Sequence, residues 1–221
     1  MGVPSGMAFR GWPAEAIEFF EGLEADNSKA YWMDHKTVYE RCVKAPMDEL
    51  LAELAPEFGA GRVFRPYRDV RFSKDKAPYK TNIAAMAGGV GYVSLSADGL
   101  GVGSGMYMMA PDQLERYRRA VDGDTTGEAL EAIVTSIRDK GHDCGPHDAL
   151  KTAPRGYAKD HPRIELLRAK GLTVWHQWPP AAWFGTKKVK DRVVEVIHDA
   201  APLNEWLGEH VGDTTMEMAR R

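Results

Sequence analysis

Apolar positions recur at helical spacing over the first quarter of the chain and at strand spacing after it. Pro13 sits at a helix start, and Ala16, Ile17, Phe20 and Leu23 follow at 3.6-residue periodicity, predicting a first helix over 13–23. Asn27 and Ser28 offer a fresh N-cap. The second helix is expected over 29–44, with Trp32, Lys36, Tyr39 and Val43 on one face at mixed i+4 and i+7 spacing. A third opens at Pro46, turns Leu50, Leu51 and Leu54 inward, and is expected to stop at Pro56 and Gly59. From Val63 the period becomes two. Along 67–72, Arg68, Val70 and Phe72 would share one strand face, and Tyr67, Asp69 and Arg71 the other.

Residues 73–79 read as a charged loop holding Pro78, which cannot donate to a sheet ladder. Three strands are expected over 81–87, 90–97 and 100–109, separated by Gly88-Gly89 and by the hairpin dipeptide Asp98-Gly99. Helices follow from Pro111 to Val121 and, capped by Thr125 or Thr126, from Gly127 to Lys140 with Leu130, Ile133, Val134 and Ile137 inward. Gly141 stops the latter. Residues 142–161 carry no period. A short helix from Pro162, a strand over 172–178 broken by Pro179-Pro180, a helix over 187–200 and a last one over 203–211 complete the chain. This order predicts an α+β fold: a mainly antiparallel sheet flanked by helices, with a helical N-terminal lead-in.

A chain of 221 residues with 43% hydrophobic and 28% charged positions can bury a core of its own, which excludes general disorder. A single domain over 9–213 is expected, with tails at 1–8 and 214–221. Cys42 and Cys144 are the whole cysteine complement, too few for a disulfide framework or a cysteine-built zinc site, and they favour a reducing cytoplasm. No apolar run reaches the length of a spanning helix, and the MGVPSGMAF start lacks a secretion pattern, so no membrane association is expected. Gly6 stands where a myristoylation pattern needs Ser or Thr.

Charge is distributed unevenly. Between Arg62 and Lys80 stand seven cations (Arg62, Arg65, Arg68, Arg71, Lys74, Lys76, Lys80) and two carboxylates (Asp69, Asp75), a net of +5 in a chain of formal net charge -3. The remainder therefore carries -8. With a pI near 6.2, general affinity for nucleic acid is not expected. Arginine offers a carboxylate or phosphate two parallel hydrogen bonds and lysine a point charge, so the segment suits an anion. Internal pairing with Asp69, Asp75 and helix carboxylates competes with that reading.

Other constellations say less. Gly99, Gly101, Gly103 and Gly105 alternate, stripping one strand face for close packing or a pocket floor. Their spacing does not make G-x-G-x-x-G, and no dinucleotide or other cofactor is called for. Lys151, Pro154, Arg155, Gly156, Tyr157 and His161 form a second basic, turn-rich stretch, in which His161 could serve as acid or base or simply open the following helix. Lys187, Lys188 and Lys190 crowd a helix start, where the macrodipole disfavours cations. His142, Cys144 and His147 make an H-x-C-x-x-H run able in principle to bind a transition metal, but without the pairings of a structural zinc site, so no metal is expected. No hydrolase elbow, Walker loop, H-E-x-x-H pair or kinase signature occurs.

The stretch Arg68-Asp69-Val70-Arg71-Phe72-Ser73-Lys74-Asp75-Lys76-Ala77-Pro78-Tyr79-Lys80 resembles the RDxRFSxDKxPYK signature of the family catalogued as domain of unknown function 2461. Leu23, Asn27, Trp32, Lys36, Tyr39 and Pro46 are similar to its helical lead-in. Lys151, Pro154, Arg155, Gly156, Tyr157, His161 and Pro162 are similar to its KxxPxGY and HP elements. The resemblance runs from about Phe9 to about Trp178; Met33 and Asp26 depart from it. It implies a shared α+β fold and brings no activity, cofactor or substrate. It suggests that the two basic segments belong to one architecture, with Arg68, Arg71, Lys74, Lys76, Tyr79, Lys80, Lys151, Arg155 and His161 around a small anion. Such a site would serve a binding protein or an enzyme on a phosphorylated or carboxylated compound. The alternative is a basic ridge for an acidic protein or single-stranded nucleic acid, with Tyr67, Phe72 and Tyr79 stacking on bases. Neither a reaction class nor an oligomeric state follows from the sequence.

Overall fold

The computed structural model describes residues 8–71 and 73–216, so the expectations placed on the N-terminal seven residues, on Phe72 and on 217–221 lie outside it. The fold is α+β, with helices preceding a six-stranded antiparallel sheet in the order β1-β2-β3-β4-β6-β5. The chain divides into two compact units, one of 1–102 with 177–195 and the other of 103–176 with 196–221. Strands β4 (Gly99–Met106) and β6 (Leu172–Trp178) give residues to both.

In the first unit, α1 (Glu15–Ala25) and α2 (Lys29–Val38) form as expected, and Ser28 caps α2 by accepting from the Tyr31 amide at 3.1 Å. The expected continuation to Lys44 is corrected: Tyr39–Lys44 is a π-helical turn leading into α3 (Ala45–Phe58). Pro46 explains it. In a straight α-helix its ring would press on the Cys42 carbonyl and it has no N–H to offer there, so the wider turn relieves the clash. The turn also accounts for the mixed spacing, because it buries Trp32, Tyr39 and Val43 while leaving Lys36 exposed, against expectation. Pro56 lies inside the last turn of α3, and Gly59 at φ 91° ends it. Strands β2 (Asn82–Ala87) and β3 (Gly91–Ser96) pair antiparallel from Asn82↔Ser96 to Ala87↔Gly91, and β1 is only Arg62–Val63. Phe19, Phe20, Leu23, Leu50, Ile83 and Leu95 are among the residues that fill this core.

In the second unit, α4 (Pro111–Asp122) is followed by α5 (Asp124–Asp139), which starts three residues before the expected Gly127 because Gly123, not a threonine, is its N-cap. Thr126 instead donates its hydroxyl to the Ala120 carbonyl. Within the stretch expected to be irregular, β5 (Asp143–Gly145) pairs antiparallel with β6 through Asp143↔Trp175 and Gly145↔Thr173. A Cβ on Gly103 would lie 2.8 Å from the Trp175 ring, and one on Gly105 would lie 2.5 Å from the Leu172 carbonyl oxygen, so close packing accounts for both glycines. α6 (Ile164–Arg168) is short, and α8 (Ala201–His210) packs Leu203, Trp206 and Leu207 inward. Helix α7 (Lys188–Asp199) runs from the residues of the first unit into those of the second. Thr214 and Thr215, expected to be tail, hydrogen-bond the Asp112 carboxylate at 2.7 and 2.9 Å.

Candidate functional site

Over 67–71 the basic segment folds as a loop, not as the strand expected there. Pro66 and Pro78 interrupt any continuous ladder, and one antiparallel bridge, Tyr67↔Tyr79, closes the loop. The Arg68 amide donates to the Pro78 carbonyl at 2.9 Å and the Lys80 amide to the Pro66 carbonyl at 2.8 Å. Asn27 clamps the base of the loop. Its side-chain amide donates to the Tyr79 carbonyl at 3.1 Å while its oxygen accepts from the Tyr79 N–H at 3.0 Å. Trp32 lies face to face on the Tyr79 ring, with centroids 4.3 Å apart and planes 7° from parallel. Burial of that ring, with Tyr67 adding to the effect, pushes the Tyr79 phenol up.

The loop's two carboxylates are both engaged. Arg68 pairs with Asp75, whose other oxygen accepts from the Ala77 amide at 2.9 Å; the Arg68 hydrogen bond, then the amide, hold the Asp75 carboxyl below its ordinary range. Arg71 grips both oxygens of Asp69 through Nε at 2.9 Å and Nη2 at 2.6 Å, which lowers that carboxyl to about 2. Lys76 donates to the Val70 carbonyl at 3.0 Å. The guanidinium of Arg62 and the ammonium of Lys80 lie 5.3 and 5.8 Å from the centroid of the Phe64 ring. Among the described residues, Arg62, Arg65, Lys74, Lys76 and Lys80 make no ion pair.

Beside the loop is an open cleft of about 510 Å³, lined by Glu24, Asn27, Arg68, Asp75, Ala77, Tyr79, Lys80, Thr81 and Asn82. Of the expected site residues it brings together Arg68, Tyr79 and Lys80, while Arg71, Lys74 and Lys76 stand exposed outside its lining. Sequence reasoning missed Glu24, Thr81 and Asn82 as lining, although the last two directly follow the motif. It also gave Asn27 to a helix cap that Ser28 supplies.

The second basic stretch belongs to the other unit. Lys151 and Arg155 are exposed there. His161 is engaged at both ring nitrogens: Nδ1 accepts from the Arg163 amide at 3.0 Å, and Nε2 faces the Asp122 carboxylate at 3.2 Å. Arg163, whose residue is 8% exposed, donates to the carbonyls of Val121, Asp122 and Gly123, closing the C-terminal end of α4. At the start of α7, Lys190 pairs with Glu53 at 3.0 Å, which offsets the dipole there. The H-x-C-x-x-H run disperses. His142 contacts His176 and Asp199, His147 contacts the Tyr107 hydroxyl, and burial raises the Cys144 thiol to about 11. Among the described residues no His, Cys, Asp and Glu group has the arrangement of a metal site, and no helix is long and apolar enough to cross a membrane.

Fold and site together define an α+β protein with a cation-rich loop clamped over an aromatic base. The chain belongs to the family described as Conserved hypothetical protein (DUF2461), whose model matches residues 15–206. The comparison with curated proteins found no match.

Proposed function

We propose that the cleft beside the 66–80 loop binds a small molecule through a phosphate monoester. The observation that carries this reading is a charge imbalance: seven cations share two carboxylates, both already spent on Arg68 and Arg71, and five cations have no ion pair among the described residues. Arg68 and Lys80 stand in the wall of the cleft together with Thr81 and Asn82. Glu24 and Asp75 line it too, so an incoming anion must draw Arg68 away from Asp75. A phosphate monoester carries close to two negative charges at neutral pH and three acceptor oxygens, and it competes for Arg68 better than a carboxylate does. The proposal rests on the 62–80 segment alone. Two buried, unbridged cysteines support a reducing compartment such as the cytoplasm.

The base-stacking alternative has less support, since the Tyr79 ring is buried and covered by Trp32. Calorimetric titration with inorganic phosphate, and with sulfate at matched ionic strength, tests the proposal on the wild-type chain and on Lys80→Ala. Binding that weakens about tenfold in the variant, as loss of one charge-assisted contact requires, with an unchanged melting temperature, supports it. Equal binding by both chains, or none by either, overturns it.

A further inference from the structure

Far from the cationic loop in sequence, His142 sits with a side chain only 5% exposed at the turn between α5 and β5. Both of its ring nitrogens have partners. Nε2 lies 2.9 Å from Oδ2 of Asp199 near the end of α7, and Nδ1 lies 2.8 Å from Nδ1 of His176 on β6. The register that pairs Asp143 with Trp175 sets His142 across from His176. Lys140, just past α5, completes the chain by donating to Oδ1 of Asp199 at 2.6 Å.

We propose that Lys140, Asp199, His142 and His176 form a proton-dependent latch, closed while the two imidazoles share one proton between their Nδ1 atoms and opened when each Nδ1 carries its own. The argument is one of proton counting. A hydrogen bond between two ring nitrogens needs one N–H and one lone pair. Asp199 accepts from Lys140 and from His142; burial alone would raise its carboxyl, but those two hydrogen bonds and charges outweigh it and the carboxyl stays low. An ionised Asp199 can only accept, so Nε2 of His142 carries hydrogen. Two arrangements then keep the Nδ1 contact. With both rings neutral, His176 donates to His142. With one more proton on the pair, a single proton still bridges the two Nδ1 atoms, and the Asp199 carboxylate at 2.9 Å from Nε2 favours the positive charge on His142 with His142 as donor. A fourth ring proton puts hydrogen on both facing nitrogens and a charge on each ring, and the contact must part.

The other charged or titratable groups around His142 do not substitute for His176. Arg138 of α5 gives Nε and Nη2 to the Cys144 carbonyl at 2.9 and 2.6 Å. Cys144 is held as a neutral thiol. Asp143 is exposed on β5, and His147 is engaged by Tyr107. His142, Arg138, Asp143 and His147 line one open pocket of about 640 Å³, so parting of the latch alters a wall of that pocket. Falling pH should therefore leave the turn closed through the first proton uptake and release it at the second.

Nitrogen-detected NMR of the full chain with labelled histidines, titrated from about pH 8 to about pH 4 across the ordinary histidine range, tests this. The expected result is a protonated Nε2 on His142 throughout, and a bridging Nδ1 proton that survives the first step and vanishes at the second. At that second step, exchange of the Cys144 and Gly145 amides, corrected for intrinsic pH dependence, should rise about tenfold or more. In His176→Phe the fast exchange should be present at every pH. Two rings that titrate in single independent steps, with exchange at Cys144 and Gly145 unchanged, would overturn the proposal. The wild-type titration decides the matter alone if the variant does not fold.

Discussion

Replacing Asn27 by alanine removes a clamp that reaches 52 residues along the chain and holds the base of the cationic loop. Two hydrogen bonds disappear, and the Tyr79 N–H and C=O they satisfied belong to a residue only 6% exposed. An unsatisfied buried backbone group costs about 1–3 kcal/mol; because these are only partly buried, about 1 kcal/mol each is the fitting figure, or about 2 kcal/mol together. That loss falls on the opening of the loop, where every 1.4 kcal/mol is tenfold, so amide exchange in the loop should accelerate about 30-fold. The informative amides are Arg68 and Lys80, which donate to Pro78 and Pro66 across the closing bridge. Asn27→Asp provides the control. Its carboxylate can still accept from the Tyr79 N–H but opposes the Tyr79 carbonyl, so the acceleration should be at least as large. Exchange at Arg68 and Lys80 that changes less than about threefold in Asn27→Ala would refute the reasoning, because hydrogen bonds of that kind would then be holding nothing.

Further outcomes follow from individual contacts. Gly88 has φ 57°, and a Cβ there would lie 1.7 Å from the Phe58 carbonyl oxygen, whereas one on Gly89 meets nothing within 4 Å. Gly88→Ala should therefore cost about 2 kcal/mol or more in urea unfolding and Gly89→Ala close to nothing. Arg163→Met strips three helix-end carbonyls of their donor and should cost about 2–4 kcal/mol by the same measurement. Asp69 titrates at about 2 instead of its ordinary 3.8, so its contribution is fully present above 3.8 and disappears as pH falls through about 2. Carbon-detected NMR of the carboxyl should place the midpoint there; a midpoint at or above 3.8 would mean that the Arg71 fork is not formed in solution.

The hairpins were legible because Gly88-Gly89 and Asp98-Gly99 interrupt alternating apolar runs at the right distance, and the structure turns the chain at both places. The helix faces of Phe20, Leu23, Leu50 and Leu54 were legible for the same reason, a period maintained over several turns. The loop at 66–80 was misread as part strand because alternation of charge with apolar residues looks the same whether or not a neighbouring strand pairs with it. Pro66 and Pro78 were the available warning. The Tyr39–Lys44 turn was visible only as an irregular spacing ahead of Pro46. Asn27 offered no signal for its partner, since an asparagine beside a serine reads as a cap and the tyrosine backbone it holds is distant. His142, His176 and Asp199 lie 34 and 57 residues apart, and within the local run His142 invites a metal reading that its ring contacts do not support. Local pattern carries what neighbours decide. Contacts made by tertiary folding leave no period behind.

The central claim, that the clamped cationic loop and its cleft receive a phosphate group, is tested most directly by titrating inorganic phosphate into the isotopically labelled chain and mapping the amide shifts. Saturable shifts concentrated at Arg68, Asp75, Ala77, Lys80, Thr81 and Asn82, absent with sulfate at equal ionic strength, are predicted. Shifts that appear only at the lysines opening α7, or that are small, unsaturated and spread over every exposed cation, would contradict it.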